Sequence, residues 1–231
     1  MPRIARSTLG QIRDFGFVAI FVAVTASLSN PAAGQNQAPT LDRPPARSVG
    51  DTFTYKWDGR NVLRTYIGQK NGLNCYMDKA SDGQQSEEFF TSDDNTVSRV
   101  GTWKPAEYTP SSGLLSFPLY LGKQWVTSYT RPDAALRMYA REATPGQFTT
   151  GYSIIARVVS YEKVTVPAGT FDAFKILATR TYWGPPITAE IIEYYAPKVG
   201  MIKFDDTSSV VGNKHDDHAE LVSFSLAKPG A

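Results

Sequence analysis

The chain has 231 residues, with 24 lysines and arginines against 22 aspartates and glutamates, and a single cysteine. A net charge this close to zero, without a Lys/Arg cluster, argues against a nucleic-acid or anionic-membrane partner. One cysteine excludes an intrachain disulfide.

The first 34 residues read as a cleaved secretory signal peptide. Arg3, Arg6 and Arg13 form a basic start, an apolar run follows from Phe15 to Leu28, and Asn30-Pro31 leads into the small residues Ala32, Ala33 and Gly34. The run is shorter than the roughly 20 apolar residues of a spanning helix. A cut before Gln35 leaves residues 35–231, removes Arg3, Arg6, Arg13 and Asp14, and takes the basic count from 24 to 21 and the acidic count from 22 to 21. The expected location is periplasmic, and what remains is long enough for one domain with a real core.

Residues 35–50 are rich in Pro, Gln and Ala and read as a flexible leader. From Asp51 to about residue 228, β-branched and aromatic residues alternate with polar ones, broken by Gly, Pro, Asn and Asp. This grammar predicts one domain of strands and turns. Strands are expected over 51–57, 62–68, 73–78, 87–91, 96–100, 124–130, 136–142, 152–165, 171–183, 187–195, 201–205 and 220–226. A short helix around 133–141 is the one departure. Asp58-Gly59, Asn71-Gly72 and Asp82-Gly83 are hairpin turn pairs. Pro167-Ala168-Gly169 and Pro197-Lys198-Val199-Gly200 suit two further reversals. Short turns between successive strands imply an antiparallel meander, and about a dozen strands imply a strongly curved sheet or barrel.

Cys75 shares strand parity with Leu73 and Met77, which predicts a small buried residue on an apolar face. Residues 101–122 hold Trp103, Tyr108, Phe117 and Tyr120 among three prolines. They form either a lid over the mouth of a half-barrel or a loop packed over one end of the core.

The most specific text is Val166-Pro167-Ala168-Gly169-Thr170-Phe171, followed by Tyr195-Ala196-Pro197-Lys198-Val199-Gly200. Together with Phe117-Pro118-Leu119 and Gly122-Lys123-Gln124-Trp125, these hairpins resemble a module of bacterial exported proteins of unknown function. The resemblance covers Phe117 to Phe224 and implies a LolA/LolB-like fold. That fold is a curved antiparallel sheet closing into an incomplete barrel, all-β apart from a short helix, with an apolar concave face that binds acyl chains. Its motif residues Pro167, Gly169, Phe171, Pro197 and Gly200 are turn and core residues and carry no chemistry of their own.

Candidate chemistry is sparse. His215-Asp216-Asp217-His218 holds both histidines, and imidazole with carboxylate suits a metal such as zinc. The tetrad reads as a polar hairpin loop and lacks the helical spacing of HExxH, so His215 and His218 are weak candidates. The doublets Glu87-Glu88, Asp93-Asp94 and Asp205-Asp206 point to opposite faces of a strand. No nucleophile elbow, phosphate loop or dinucleotide fingerprint is present, and no cofactor is expected.

The resulting expectation is a non-enzymatic periplasmic protein binding a lipid, an acyl chain or an envelope partner. Trp103, Tyr108, Phe117, Trp125 and Trp183 are the expected ligand-lining residues. One alternative is an envelope-assembly module that uses exposed sheet edges. Another is a metal-dependent hydrolase at His215 and His218.

Overall fold

The structure, a computed structural model, describes residues 38–132, 149–182, 188–210 and 213–227. The expected helix at 133–141, the expected strand 136–142 and Trp183 lie outside these residues.

The described chain forms twelve strands and, among the described residues, no helix. They are β1 Thr52–Trp57, β2 Arg60–Lys70, β3 Leu73–Ala80, β4 Gln85–Phe90, β5 Thr96–Gly101, β6 Ala106–Glu107, β7 Gln124–Pro132, β8 Thr149–Val166, β9 Gly169–Tyr182, β10 Thr188–Ala196, β11 Gly200–Val210 and β12 Asn213–Ser225. All pair antiparallel in one sheet of order β6-β5-β4-β3-β2-β1-β12-β11-β10-β9-β8-β7. Asp58-Gly59 and Asn71-Gly72 carry positive φ at both positions, as tight hairpins require.

The sheet curls into a nearly closed barrel. Register shifts at Thr54/Tyr55, Tyr66/Gly68, Phe89/Phe90, Val158/Ser160 and Tyr194/Tyr195 insert bulges that bend their strands. The two edge strands, β6 and β7, meet at a seam. There Thr109 and Thr130 form an isolated antiparallel bridge, with backbone hydrogen bonds of 2.8 Å in each direction.

One end of the barrel, called the floor here, holds the start of β1 and the β8–β9 and β10–β11 turns. The β8–β9 hairpin folds over this end, and the Ala168 amide donates to the Leu221 carbonyl of β12 at 3.1 Å. Val166, Ala168 and Phe171 pack there into a core with Phe53, Ile202 and Leu221. Residues 38–50, expected as a flexible leader, are tied to the same end. Leu41 and Leu119 bridge reciprocally at 2.8 Å, Arg47 Nη2 donates to the Val199 carbonyl at 2.7 Å, and the Gly50 amide donates to the Tyr66 carbonyl at 2.9 Å.

Segment 101–122 packs inward and does not stand off as a lid. Trp103, Leu115 and Leu119 are buried, while Tyr120 is exposed. Asn95 fixes the segment by donating from Nδ2 to the Leu115 carbonyl and accepting from the Leu115 amide, both at 2.8 Å.

One local expectation needs correction. The tetrad His215–His218 is not a loop; it lies inside β12, paired with Asp205–Ser208 of β11. Cys75 is buried, as its strand parity predicts, and lies on the face turned away from the barrel interior, where it pairs with Phe89. The interior positions of β3 are Tyr76, Asp78 and Ala80.

Candidate functional site: the barrel interior

Within the barrel is a cavity of about 710 Å³. Such a volume suits a small-molecule site, which typically occupies roughly 300–1,000 Å³. Its wall follows from strand alternation: every second residue points inward, and many of those positions are aromatic. On the seam side the rings run as a chain. Tyr108 meets Tyr129 edge-on at 5.2 Å, Tyr129 stacks on Tyr152 at 4.8 Å, and Tyr152 meets Tyr182 at 4.6 Å. Phe53, Tyr55, Trp57, Phe90 and Phe204 line the opposite wall.

The interior is not uniformly apolar. A row of four charged residues crosses β2 to β5. Arg64 donates bidentately to Asp78, from Nε at 2.9 Å and Nη2 at 2.8 Å, and Arg64 Nη2 also reaches Glu88. Arg99 Nη2 donates to the other Glu88 oxygen at 2.6 Å, and Thr96 Oγ1 adds a bond to it at 3.2 Å. Burial alone would raise the Asp78 carboxyl, but the adjacent Arg64 outweighs it and holds the group below its ordinary value. Two guanidiniums against two carboxylates leave the row neutral, which is what makes its burial tolerable.

A second set lies toward the far end of β1. Lys104 Nζ donates to Asp58 and Asp217 at 2.8 Å each, and Trp57 Nε1 donates to Asp217. Arg180 pairs with Asp206 at 2.9 Å. These pairs explain why the polar stretch before Glu220 is strand. The interior accepts Asp217, and on the outer face His218 Nδ1 bonds Asp205.

The floor carries a third group. Tyr195 donates its hydroxyl to Asp94 at 2.6 Å, and burial raises the Asp94 carboxyl. Arg47 lies 4.6 Å over the Phe53 ring, and its Nε and Nη1 are buried without a hydrogen-bond partner. Glu193 of β10 is only 4% exposed, and no hydrogen bond or ion pair reaches its carboxyl among the described residues. Burial, with Asp94 nearby, pushes it up to about 8, so the group is mostly protonated at neutral pH. Tyr55 is pushed up to about 12 by burial, and its hydroxyl donates to the Met201 carbonyl at 3.0 Å.

Of the residues singled out from sequence, Tyr108 lines the cavity. Trp103 is buried in the core beside it, Phe117 packs edge-on against Tyr195 at 5.6 Å, and Trp125 Nε1 reaches the Gly113 carbonyl at 3.4 Å. Most of the aromatic lining comes instead from tyrosines, largely at alternating strand positions, and the parity of Tyr152 with Ile154 and of Tyr195 with Ile191 is the signal that could have found them. Gly169 and Gly200 adopt positive φ at their turns, +133° and +89°. Among the described residues, no group of three or more His, Cys, Asp or Glu is placed to hold a metal.

A family model described as DUF3108-like matches residues 67–212. The chain belongs to that family. The matched stretch of this DUF3108-like chain runs from β2 to the end of β11 and includes Glu88, Asp94 and Glu193. No curated protein matches the sequence. Among solved structures, the hypothetical lipoprotein YmcC of Escherichia coli is similar at 9% identity and a TM-score of 0.50, over 77% of this chain and 85% of that one. A Bacteroides fragilis protein with a YmcC-like fold aligns at 16% identity and a TM-score of 0.38, over 81% of this chain and all of that one. The YmcC likeness speaks to the fold alone.

Proposed function

We propose that this DUF3108-like protein is an exported, non-catalytic binder that takes the apolar part of a lipid or acyl-chain ligand into its barrel. The observation that carries this reading is the cavity of about 710 Å³ walled by stacked tyrosines. A barrel built only for stability would fill its interior with side chains to native packing density. Export is supported by the basic start, apolar run and small-residue site within residues 1–34. Similarity to a protein described as a lipoprotein is in keeping with an envelope location. The LolA/LolB-like resemblance of the two turn motifs points to the same class of ligand.

Binding through free sheet edges has less support, because β6 and β7 spend part of their edges on each other at Thr109 and Thr130.

Native mass spectrometry of residues 35–231, purified from a periplasm without detergent, tests the proposal. The expected result is an added mass of lipid size that organic extraction removes. Ala106→Trp, at a lining position on β6, is expected to abolish it. A bare polypeptide mass from every preparation would count decisively against a lipid carrier.

A further inference from the structure

We propose that the cavity floor, at Glu193 and Asp94, receives the ammonium head of an amphipathic amine. The inference rests on the binding reading above and adds the ligand's polar chemistry.

The argument is an account of unused valences. Most lining cations already have carboxylate partners: Arg64 and Arg99 are held by Asp78 and Glu88, Lys104 by Asp58 and Asp217, and Arg180 by Asp206. Arg47 also faces the floor: Nη2 is committed to the Val199 carbonyl, while Nε and Nη1 have no hydrogen-bond partner and the guanidinium lies over the Phe53 ring. Of the floor hydroxyls, Tyr55 donates to Met201 and Tyr195 to Asp94. Beside that one guanidinium, what the floor offers is acceptor capacity. Glu193 is 96% removed from solvent, lines the cavity and has no partner among the described residues. Asp94 lies close enough to influence it.

A buried carboxyl without a partner costs stability, and a ligand that supplies donors relieves that cost. The rings beside the site favour a cation over an anion, because their faces are negative. Tyr55, Tyr76, Phe90 and Phe204 all line this cavity. The charged and titratable groups facing Glu193 and Asp94 are Arg47 before β1, Tyr55 on β1, Arg64 on β2, Tyr76 on β3 and Tyr195 on β10. Only Arg47 and Arg64 among them are cationic, and Arg64 is spent on the charged row. An incoming ammonium makes up the missing positive charge, while the proton on Glu193 leaves to solvent. An anionic head could reach Arg47, but it would meet the Glu193 and Asp94 carboxyls beside it.

The test compares three probes that share one tail, dodecylamine, dodecanol and dodecanoate, each below its micelle concentration. Affinities are read from quenching of tryptophan emission, since Trp57 lines the cavity. The expected result is dodecylamine binding about tenfold or more tighter than dodecanoate at pH 7.5. Glu193→Gln is expected to remove most of that preference, with dodecanol affinity falling far less than dodecylamine affinity. Asp94→Asn, which also keeps shape, is expected to weaken the amine alone. Binding of dodecanol and dodecanoate with no preference for the amine would overturn the inference and leave the carrier reading standing. Failure of all three probes would overturn both.

Discussion

Thr109 and Thr130 each donate a backbone hydrogen bond to the other at 2.8 Å, across the line where the first and last strands of the sheet come face to face. Elsewhere neighbouring strands share ladders of several residues, such as the nine paired positions of β7 and β8. A single bridge is therefore the weakest point of the wall. The amides of Thr109 and Thr130 are expected to exchange with deuterium far faster than those of Ile176 and Ile191. Facing residues in such a bridge have the separation a disulfide needs. Oxidised Thr109→Cys/Thr130→Cys is thus expected to slow ligand exchange, and a reductant to restore it.

Glu88 holds two guanidiniums at once. Glu88→Ala leaves Arg64 with Asp78 only and Arg99 with no carboxylate, in a buried setting. Breaking a buried ion pair from one side costs roughly 3–5 kcal/mol. Urea denaturation is expected to show a loss of that order. Lys70→Ala, which removes a solvent-exposed partner 3.8 Å from Glu87, should change stability by less than about 1 kcal/mol.

Two buried carboxyls shifted in opposite directions, Glu193 and Asp78, give stability opposite pH slopes. Glu193 is raised from 4.5 to about 8 by burial, so the folded state holds a proton that the unfolded chain releases above about 4.5. Its contribution is complete below that value and is lost as pH rises through about 8. Asp78 is lowered by Arg64 despite its burial, so its contribution is present above the ordinary aspartate value and is lost as pH falls through the lowered one. Glu193→Gln is expected to flatten the alkaline fall while leaving the acid limb in place, as read from melting temperature between about pH 2 and 9.

Gly200 and Gly59 separate backbone strain from crowding. Both have strongly positive φ, +89° and +82°. A Cβ on Gly59 meets nothing within 4 Å, whereas one on Gly200 falls 2.6 Å from Arg47 Nη2. Gly59→Ala is expected to cost about 1 kcal/mol, the left-handed penalty alone. Gly200→Ala should cost clearly more, because it also displaces the Arg47 bond to Val199. The difference between the two melts measures that contact.

Cys75 is buried, and burial raises its thiol above the ordinary value. Thiolate is the reactive form. The native protein is expected to react slowly with a thiol reagent at pH 8, and stoichiometrically once unfolded in urea.

The antiparallel pairing of successive strands and most turns were legible because alternation and Gly-containing pairs are local signals, whereas the pairing of β1 with β12, which puts the sheet edges at β6 and β7, has no local signal. Strand faces were less legible. The apolar parity of Leu73, Cys75 and Met77 does not say which face of β3 looks inward, and the structure turns Tyr76 and Asp78 inward, where Arg64 binds both Asp78 and Glu88. The same partnering turns His215–His218 from an apparent loop into strand, since Asp217 is answered by Lys104, 113 residues away. The unpartnered state of Glu193 depends on Asp94 and the floor being brought together across the barrel, and no spacing along the chain announces that. Tyrosine-rich strands announced burial without saying that space would be left between the rings.

Strand β1 hydrogen-bonds to β12, with Thr52 opposite Ser225 and Trp57 opposite Ala219. A chain emerging N-terminus first therefore presents a bare β1 edge until β12 is free. Assembly in chain order leaves the β1–β12 ladder to the last, and the wall of the cavity is complete only when that ladder forms. Until then the open β1 edge is a template on which a wrong strand can pair.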